Sequence, residues 1–332
     1  MPANRLLQHY VDNARRLPWR SMPGAPAPEP YRVWLSEVML QQTTVAAVIP
    51  RFERFLARWP TVEALASAPD EDVLSEWAGL GYYARARNLI ACAREVAKRG
   101  GFPDTEEELR KLPGIGGYTA AAIAAIAFGR KAAVIDTNVA RVVSRLAGIE
   151  ETVDVSRDKI RQIVEAMTPA DRPGDFAQAM MDLGATICRP RAPECQRCPL
   201  AGDCVAYASG EPERFPAPKL RIMRPTRHGV AWWIEREGCV WLVRRPAKGM
   251  LAGMTALPGP DWTDTLEHFG PVVGRVTHVF THFRLELAIV ATSEPAGEGW
   301  WHPLDRLNQA GLPTLYRRAA DAVLAGGAKL AA

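Results

Sequence analysis

Leu112-Pro113-Gly114-Ile115-Gly116-Gly117-Tyr118-Thr119-Ala120 joins one helical segment to a second that is dense in alanine and isoleucine, and its reading decides the fold. Glycines just before a helix leave several backbone N–H groups pointing outward, and the helix dipole adds partial positive charge there, so the turn is a ready anion site. Taken alone, such a turn also fits a tight helix–helix connection. The residues around it must decide between the two.

Apolar residues recur at helical spacing on both sides, over residues 31–44, 45–58, 71–79, 84–98, 118–128, 138–147 and 157–167. Residues 1–20 alternate apolar and charged positions as an amphipathic helix does. The composition then changes. Residues 211–225 carry four prolines among basic residues and no apolar period, as an extended linker would. Arg214, Lys219, Arg221, Arg224 and Arg227 follow one another with no acidic residue between them, although the net charge is only +4, and such a run suits a polyanionic partner. Beyond the seam, 230–235 and 239–244 read as strands split by a turn at 236–238, 278–292 alternates as a further strand, and 315–325 reads as a helix. A chain of 332 residues with 48% hydrophobic content is long enough for two cores. The expected division is a helical domain at 1–208, a basic proline-rich linker at 209–227 and a mixed α and β domain at 228–332. With neither a signal-peptide pattern nor an apolar run of about 18 residues, a soluble cytoplasmic protein is expected.

Four of the six cysteines crowd into one loop: Cys188, Cys195, Cys198 and Cys204, spaced C-x6-C-x2-C-x5-C and interrupted by Pro190, Pro193 and Pro199. A zinc site with four cysteine ligands is one reading, but such sites usually present two CxxC pairs and only one is present here. A 4Fe–4S cluster is the other, since a compact uneven spacing wraps a cube readily. Cys92 and Cys239 lie far away and read as ordinary buried thiols. The spacing is similar to the cluster loop of the endonuclease III superfamily of DNA glycosylases. Leu112 to Gly116 resembles the helix-hairpin-helix element of the same superfamily, which binds DNA phosphates without reading sequence. The two motifs occur in the order that the superfamily has. The resemblance implies one 4Fe–4S cluster on the four cysteines and phosphate contacts at Gly114 and Gly116.

Two carboxylates stand out. Asp136, in Val134-Ile135-Asp136-Thr137-Asn138-Val139-Ala140-Arg141, sits where an apolar run gives way to a helix, as an N-cap does. Glu37, in Trp34-Leu35-Ser36-Glu37-Val38-Met39-Leu40-Gln41-Gln42-Thr43, shares a polar stripe with Gln41 and Thr44 at helical spacing. That stripe is either solvated or faces inward, where flanking apolar residues would desolvate the carboxyl, raise its pKa and suit it to donate a proton. The segment from Ser36 to Thr43 closely resembles that of the adenine DNA glycosylases of the MutY type. There the glutamate protonates adenine at N7, because adenine leaves poorly as an anion, and the aspartate stabilises the oxocarbenium ion formed on the sugar. The resemblance assigns these roles to Glu37 and Asp136, with Asn138 orienting the latter. In superfamily members that cut the backbone, a lysine at the position of Tyr118 attacks the sugar to form a Schiff base. Tyrosine has no amine, so the implied reaction is monofunctional and leaves an abasic site, with Tyr118 shaping the pocket.

The same resemblance places Trp19, Arg20 and Gln178 around the adenine, and Leu40, Gln42, Thr43 and the Gly81-Tyr82-Tyr83 turn among the elements that fill the gap left by a flipped base. Read alone, Leu40 and Tyr82 fit core packing equally well, and Gln178 fits a helix surface. After Pro225 the resemblance weakens and is to the Nudix-like C-terminal domain of these enzymes. Phe280-Thr281-His282 aligns with the family's Phe-Ser-His loop, and threonine keeps a hydroxyl able to bond 8-oxoguanine. A working Nudix hydrolase needs a REuxEExGu run, whereas residues 249–270 hold only Asp261, Asp264 and Glu267, so pyrophosphate hydrolysis is not expected. The fold class expected is thus a mainly α helix-hairpin-helix glycosylase region with an iron-sulfur cluster loop, followed by an α+β Nudix-like domain. The partner implied is double-stranded DNA holding an A:8-oxoguanine or A:G mismatch, met by a monomer. An endonuclease III-like enzyme acting on damaged pyrimidines is disfavoured by Tyr118 and the added domain, and a non-catalytic iron-sulfur DNA-binding protein is the alternative from another class.

Overall fold

A computed structural model describes residues 2–219, 223–246, 248–265 and 270–330; Arg221 of the basic run and Glu267 lie outside these. The helices are α1 (Pro2–Asn13), α2 (Pro30–Leu40), α3 (Val45–Arg58), α4 (Val62–Ala66), α5 (Asp70–Trp77), α6 (Ala84–Arg99), α7 (Glu106–Leu109), α8 (Gly117–Ile126), α9 (Thr137–Ala147), α10 (Arg157–Met167), α11 (Pro173–Thr186), α12 (Val205–Ala208) and α13 (Thr314–Leu330). The strands are β1 (Thr226–Trp233), β2 (Glu235–Arg236), β3 (Cys239–Arg244), β4 (Thr255–Ala256), β5 (Val272–Val279), β6 (Arg284–Ala291) and β7 (Gly299–Pro303). The chain forms two compact units. One joins Met1–Ser67 to Asn88–Leu220, and the other joins Ala68–Arg87 to Arg221–Ala332.

The first unit is helical. Its centre is α8, in which every residue from Thr119 to Ile126 is buried, so alanine at most positions lets α2, α7 and α11 approach closely. Asp136 caps α9, and Gly148 in the left-handed region (φ 65°) ends it. α9 and α11 meet at Gly184, where an added Cβ would stand 2.6 Å from Asn138 Cβ and 3.0 Å from Asn138 O. The amphipathic N-terminal segment is helical only to Asn13 and continues as an irregular arm to Arg20. The proline-rich segment after 211 is not free over its first half. Phe215 is buried, Arg145 Nε donates to Phe215 O at 3.1 Å, and Ala217 N donates to Glu150 O at 2.9 Å. Arg214 and Lys219 are ion-paired to Glu150 and Asp154, so two of the five residues of the basic run are neutralised locally.

The second unit carries two sheets. One has the order β1-β6-β5, with β1 parallel and β5 antiparallel to β6; in the other, β3 pairs with β2, β4 and β7. α13 packs on β5, and Leu242, Leu285, Leu287, Ile289, Leu315 and Tyr316 lie at the core. The expected turn at 236–238 is a two-residue hairpin loop with positive φ at Glu237 (49°) and Gly238 (72°). Two expectations are corrected. The single strand expected over 278–292 is the end of β5, a reversal and β6: Phe280 N donates to Phe283 O at 2.9 Å, and the aromatic residues that sustain the alternation are those that pack the turn. The stripe of Glu37, Gln41 and Thr44 does not form either. α2 stops at Leu40, Gln42 takes a left-handed φ of 56°, and Thr44 becomes the N-cap of α3.

Closing the α9–α11 approach with one methyl group should cost about 1–3 kcal/mol, because Asn138 backbone cannot retreat without moving the cap of α9. Gly184→Ala is therefore expected to lower the unfolding free energy by that amount and the denaturant midpoint with it, and an unchanged midpoint would mean that the two helices separate freely.

Candidate active site

A cleft of about 1390 Å³ opens in the helical unit. Glu37, Tyr118, Asp136 and Asn138 line it together with Trp19, Arg20 and Gln178. Leu40, Gln42 and Thr43 come to it from the break between α2 and α3, and Gly114 and Gly116 from the hairpin. The sequence motifs of this unit thus converge on one cleft, apart from the cysteines. Tyr82 and Phe280-Thr281-His282 belong to the second unit.

Glu37 is buried (6% exposed) on the inward side of α2. Tyr118 Oη donates to Glu37 Oε2 at 2.6 Å. Burial pushes the carboxyl up to about 7, with the nearby Asp136 charge adding to the rise, while the Tyr118 hydrogen bond and Arg20 oppose it. Tyr118 itself is raised well above the ordinary phenol range, first by burial and then by Glu37 and Asp136, so it stays a donor. Asp136 has both oxygens engaged: Val139 N donates to Oδ1 at 2.7 Å and Asn138 Nδ2 to Oδ2 at 2.8 Å. Capping and orientation are thus done by the same carboxylate. Arg141 extends the chain of bonds, donating to Asn138 Oδ1 (2.9 Å), Gly184 O (2.8 Å) and Cys188 O (2.9 Å).

Trp19 is buried edge-on against Phe52, with ring centroids 5.3 Å apart. Arg20 is fixed by Asp182, Nη1 to Oδ2 at 2.7 Å, and the backbone N of Arg15 reaches the same oxygen at 3.2 Å. Gln178 is buried, donates weakly to Gly174 O at 3.3 Å, and has an Oε1 with no partner among the described residues. At the hairpin, Gly114 (φ 73°) and Gly116 are exposed, and among the described residues no side chain caps the N-terminus of α8. Asp182 and Arg141 were not singled out from the sequence. A lone acid within the apolar stretch from Phe176 to Gly184 was the available signal for Asp182.

The four loop cysteines are partly buried; burial raises Cys195 and Cys204 and pushes Cys198 up to about 11, with the neighbouring cysteines adding to the rise. Arg145, itself buried, donates to Cys188 Sγ at 3.4 Å and to the carbonyls of Arg189 (2.7 Å) and Pro190 (3.0 Å). Among the described residues, no three His, Cys, Asp or Glu side chains converge as the ligands of a single metal ion would. In the second unit, Phe280 stacks on Trp262 at 5.4 Å, while Thr281 and His282 are exposed. Thr281 Oγ1 lies 3.3 Å from Tyr82 Oη, and Arg224 Nε donates to Thr281 O at 3.1 Å. Asp264 is engaged with Arg227 at 3.7 Å.

Residues 35–169 match the HhH-GPD superfamily of base excision DNA repair proteins, and residues 229–322 match the NUDIX domain. Among solved structures, a thermostable thymine-DNA glycosylase is similar with a TM-score of 0.55 and 28% identity, over 62% of this chain and 95% of its own. A non-covalent endonuclease III–DNA complex shares the fold with a TM-score of 0.52 and 24% identity, over 63% of this chain and 94% of its own. The fold and the motifs define a helix-hairpin-helix DNA glycosylase of base excision repair with a Nudix-like domain. The chain is 33% identical to the adenine DNA glycosylase of Mus musculus over 90% of its length and 73% of the relative's. The Homo sapiens enzyme of that name is 33% identical over 89% and 69%, and that of Mycobacterium tuberculosis 41% identical over 59% and 64%. The chain therefore belongs to the adenine DNA glycosylase family of the MutY type, and it is a DNA N-glycosylase, a hydrolase. Among the described residues, no helix is long and apolar enough to cross a membrane.

The raised Glu37 carboxyl has a consequence for stability. The folded protein binds this proton more tightly than the unfolded chain, whose glutamate titrates near 4.5, so stability falls as pH rises from about 4.5 to about 7. Above that the loss is constant, on the order of 3 kcal/mol. Glu37→Gln, which cannot ionise, should melt above the parent at pH 8 and close to it at pH 4. Equal gaps at both pH values would show that the carboxyl is not held uncharged.

Proposed function

We propose that this enzyme removes adenine mispaired with 8-oxoguanine or guanine from duplex DNA, acting as a monomer and without cutting the backbone. The observation that carries this reading is the buried Glu37–Tyr118 pair facing the same cleft as Asp136. Adenine enters the cleft flipped out of the stack. Gln178 Oε1 is an acceptor in want of a donor, which the exocyclic amine of adenine supplies, and Trp19 and Arg20 complete the pocket. Glu37 gives its proton to N7, the C1′–N9 bond breaks with its electron pair going to the base, and adenine leaves neutral. The Asp136 side chain, oriented by Asn138, stabilises the oxocarbenium ion left on the sugar. Water adds to C1′ and the proton it releases returns Glu37 to the acid. With Tyr118 in place of an amine there is no Schiff base, so an abasic site remains.

Gly114, Gly116 and the uncapped start of α8 take a phosphate. Leu40, Gln42, Thr43 and Tyr82 fill the space that the base vacates, and Phe280, Thr281 and His282 meet the partner base. In this division the catalytic region lies within 1–208, 209–227 is the linker and 228–332 reads the lesion. Cys188, Cys195, Cys198 and Cys204 hold one 4Fe–4S cluster. A single zinc ion would draw four sulfurs to about 2.3 Å each, whereas a cube keeps them at separate corners, which suits four neighbouring thiols that do not converge on a point. When bound, the cluster supplies cationic charge that keeps buried thiolates ionised and ties the loop together.

Single-turnover adenine release should be observed from A:8-oxoguanine and A:G duplexes and not from A:T, with strand breakage only after alkali. Asp136→Asn should lose release by a factor of roughly a thousand, on the scale of a lost electrostatic stabiliser, while still binding the duplex. Unchanged release would remove Asp136 from the reaction, and breakage without alkali would overturn the monofunctional mechanism.

The purified enzyme should contain about four irons per chain, and Cys198→Ala should lose them together with thermal stability. One zinc per chain in their place would overturn the cluster assignment.

A further inference from the structure

Tyr82 is an aromatic side chain held half exposed (48%) on a backbone that aromatic residues rarely adopt, with φ 49° beside Gly81 at 69°. Such a conformation persists only where its surroundings enforce it. Arg85, on the first turn of α6, supplies much of that enforcement. Its guanidinium carbon lies 5.3 Å from the Trp77 ring centroid and 5.4 Å from that of Tyr82. Its Nη2 donates to Leu80 O at 3.0 Å and to Gly81 O at 3.4 Å, and its backbone N donates to Tyr82 O at 2.8 Å. Trp77 Nε1 reaches Gly81 O as well, at 3.0 Å. The turn is thus tied down through its carbonyls and Tyr82 through its ring, while the phenol hydroxyl meets Thr281 Oγ1 at 3.3 Å.

We infer that Arg85 is a positioning residue for base extrusion, holding the Tyr82 ring in the orientation in which it enters the base stack. This rests on the reading of Tyr82 as a wedge. A ring free to turn would have to be ordered during insertion, which weakens the flipped state, whereas a ring already fixed between a cation and a hydroxyl carries that ordering in the folded protein. The planar fork of arginine reaches two carbonyls while lying on two rings, and lysine, with one point of charge, cannot do both.

The test is a double-mutant cycle on the full-length enzyme, with Tyr82→Ala, Arg85→Lys and the pair combined. Adenine release is followed under single turnover at saturating enzyme, and fluorescence of 2-aminopurine beside the mismatch reports unstacking. Each single variant should slow release by about tenfold and reduce the fluorescence rise, with affinity for undamaged duplex retained, and the double variant should be no slower than Tyr82→Ala. Should Arg85→Lys not fold, Arg85→Gln takes its place with the same expected order. A parent-like rate for the Arg85 variant while Tyr82→Ala is slow, or multiplication of the two losses, would overturn the role of Arg85 and leave the wedge intact. A parent-like rate for Tyr82→Ala would instead overturn the wedge reading, and the role of Arg85 with it.

Discussion

The hydrogen bond from Tyr118 to Glu37, 2.6 Å long and made to a buried carboxyl, is the constraint around which the cleft is arranged. A carboxyl in a polar, wet site would be ionised at neutral pH and useless as an acid, and one buried with no partner would lie idle above the working range. The surroundings of Glu37 balance the two tendencies. Residues Tyr31 and Val33 to Met39 are buried along α2 and desolvate the group, while the phenol and Arg20 hold its pKa near 7. Residue type at 118 therefore does two things at once. An ammonium group in that place would favour the carboxylate far more strongly than a phenol does, so an amine at position 118 and a protonated Glu37 would not coexist easily. Arg20 must be near without pairing directly, and Asp182 achieves this by taking its guanidinium at 2.7 Å.

Asp136 depends on orientation. Two donors, Val139 N and Asn138 Nδ2, fix its plane, and both come from the first turn of the helix it caps. Its position is only as good as that of α9. The glycine at 184 brings α11 against Asn138, and Arg141 ties Asn138 to the carbonyls of Gly184 and Cys188. The cysteine loop is thereby joined to the helix that carries Asp136, and Arg145 on that same helix holds the loop from the other side through Arg189 and Pro190.

Local chemistry was legible in the sequence wherever one short segment determined the outcome. The start of α9 followed from Asp136, the bounds of α3, α10 and β3 from periodicity, and the hairpin loop at Glu237 and Gly238 from its turn residues. Long-range partners were not legible. Gln41, Gln42, Thr43 and Thr44 hold no proline or glycine to end a helix, and the left-handed φ of Gln42 has no mark in the sequence. The reversal after Val279 was hidden because Phe280 and Phe283 keep up the alternation of a strand while packing on Trp262 and on each other. The basic linker looked free because Glu150 and Asp154, which neutralise Arg214 and Lys219, lie more than sixty residues upstream.

Residues 68–87 fold with the C-terminal unit rather than with the helices that flank them in sequence. Arg244 pairs with Glu71 at 2.6 Å, Arg87 donates to Ala252 O at 2.6 Å, and Tyr82 meets Thr281. In the proposed reading, the ring that replaces a base and the hydroxyl that meets the partner base belong to one compact body. Threonine in place of serine in the Phe280-Thr281-His282 loop then has a physical rationale beyond the extra methyl group. A β-branched residue has fewer χ1 rotamers, so its hydroxyl stays aimed at Tyr82 more of the time than a serine hydroxyl would. In that reading, a partner base that competes for that hydroxyl must offer a better hydrogen bond than the phenol does, so the contact between Tyr82 and Thr281 sets a threshold on partner recognition.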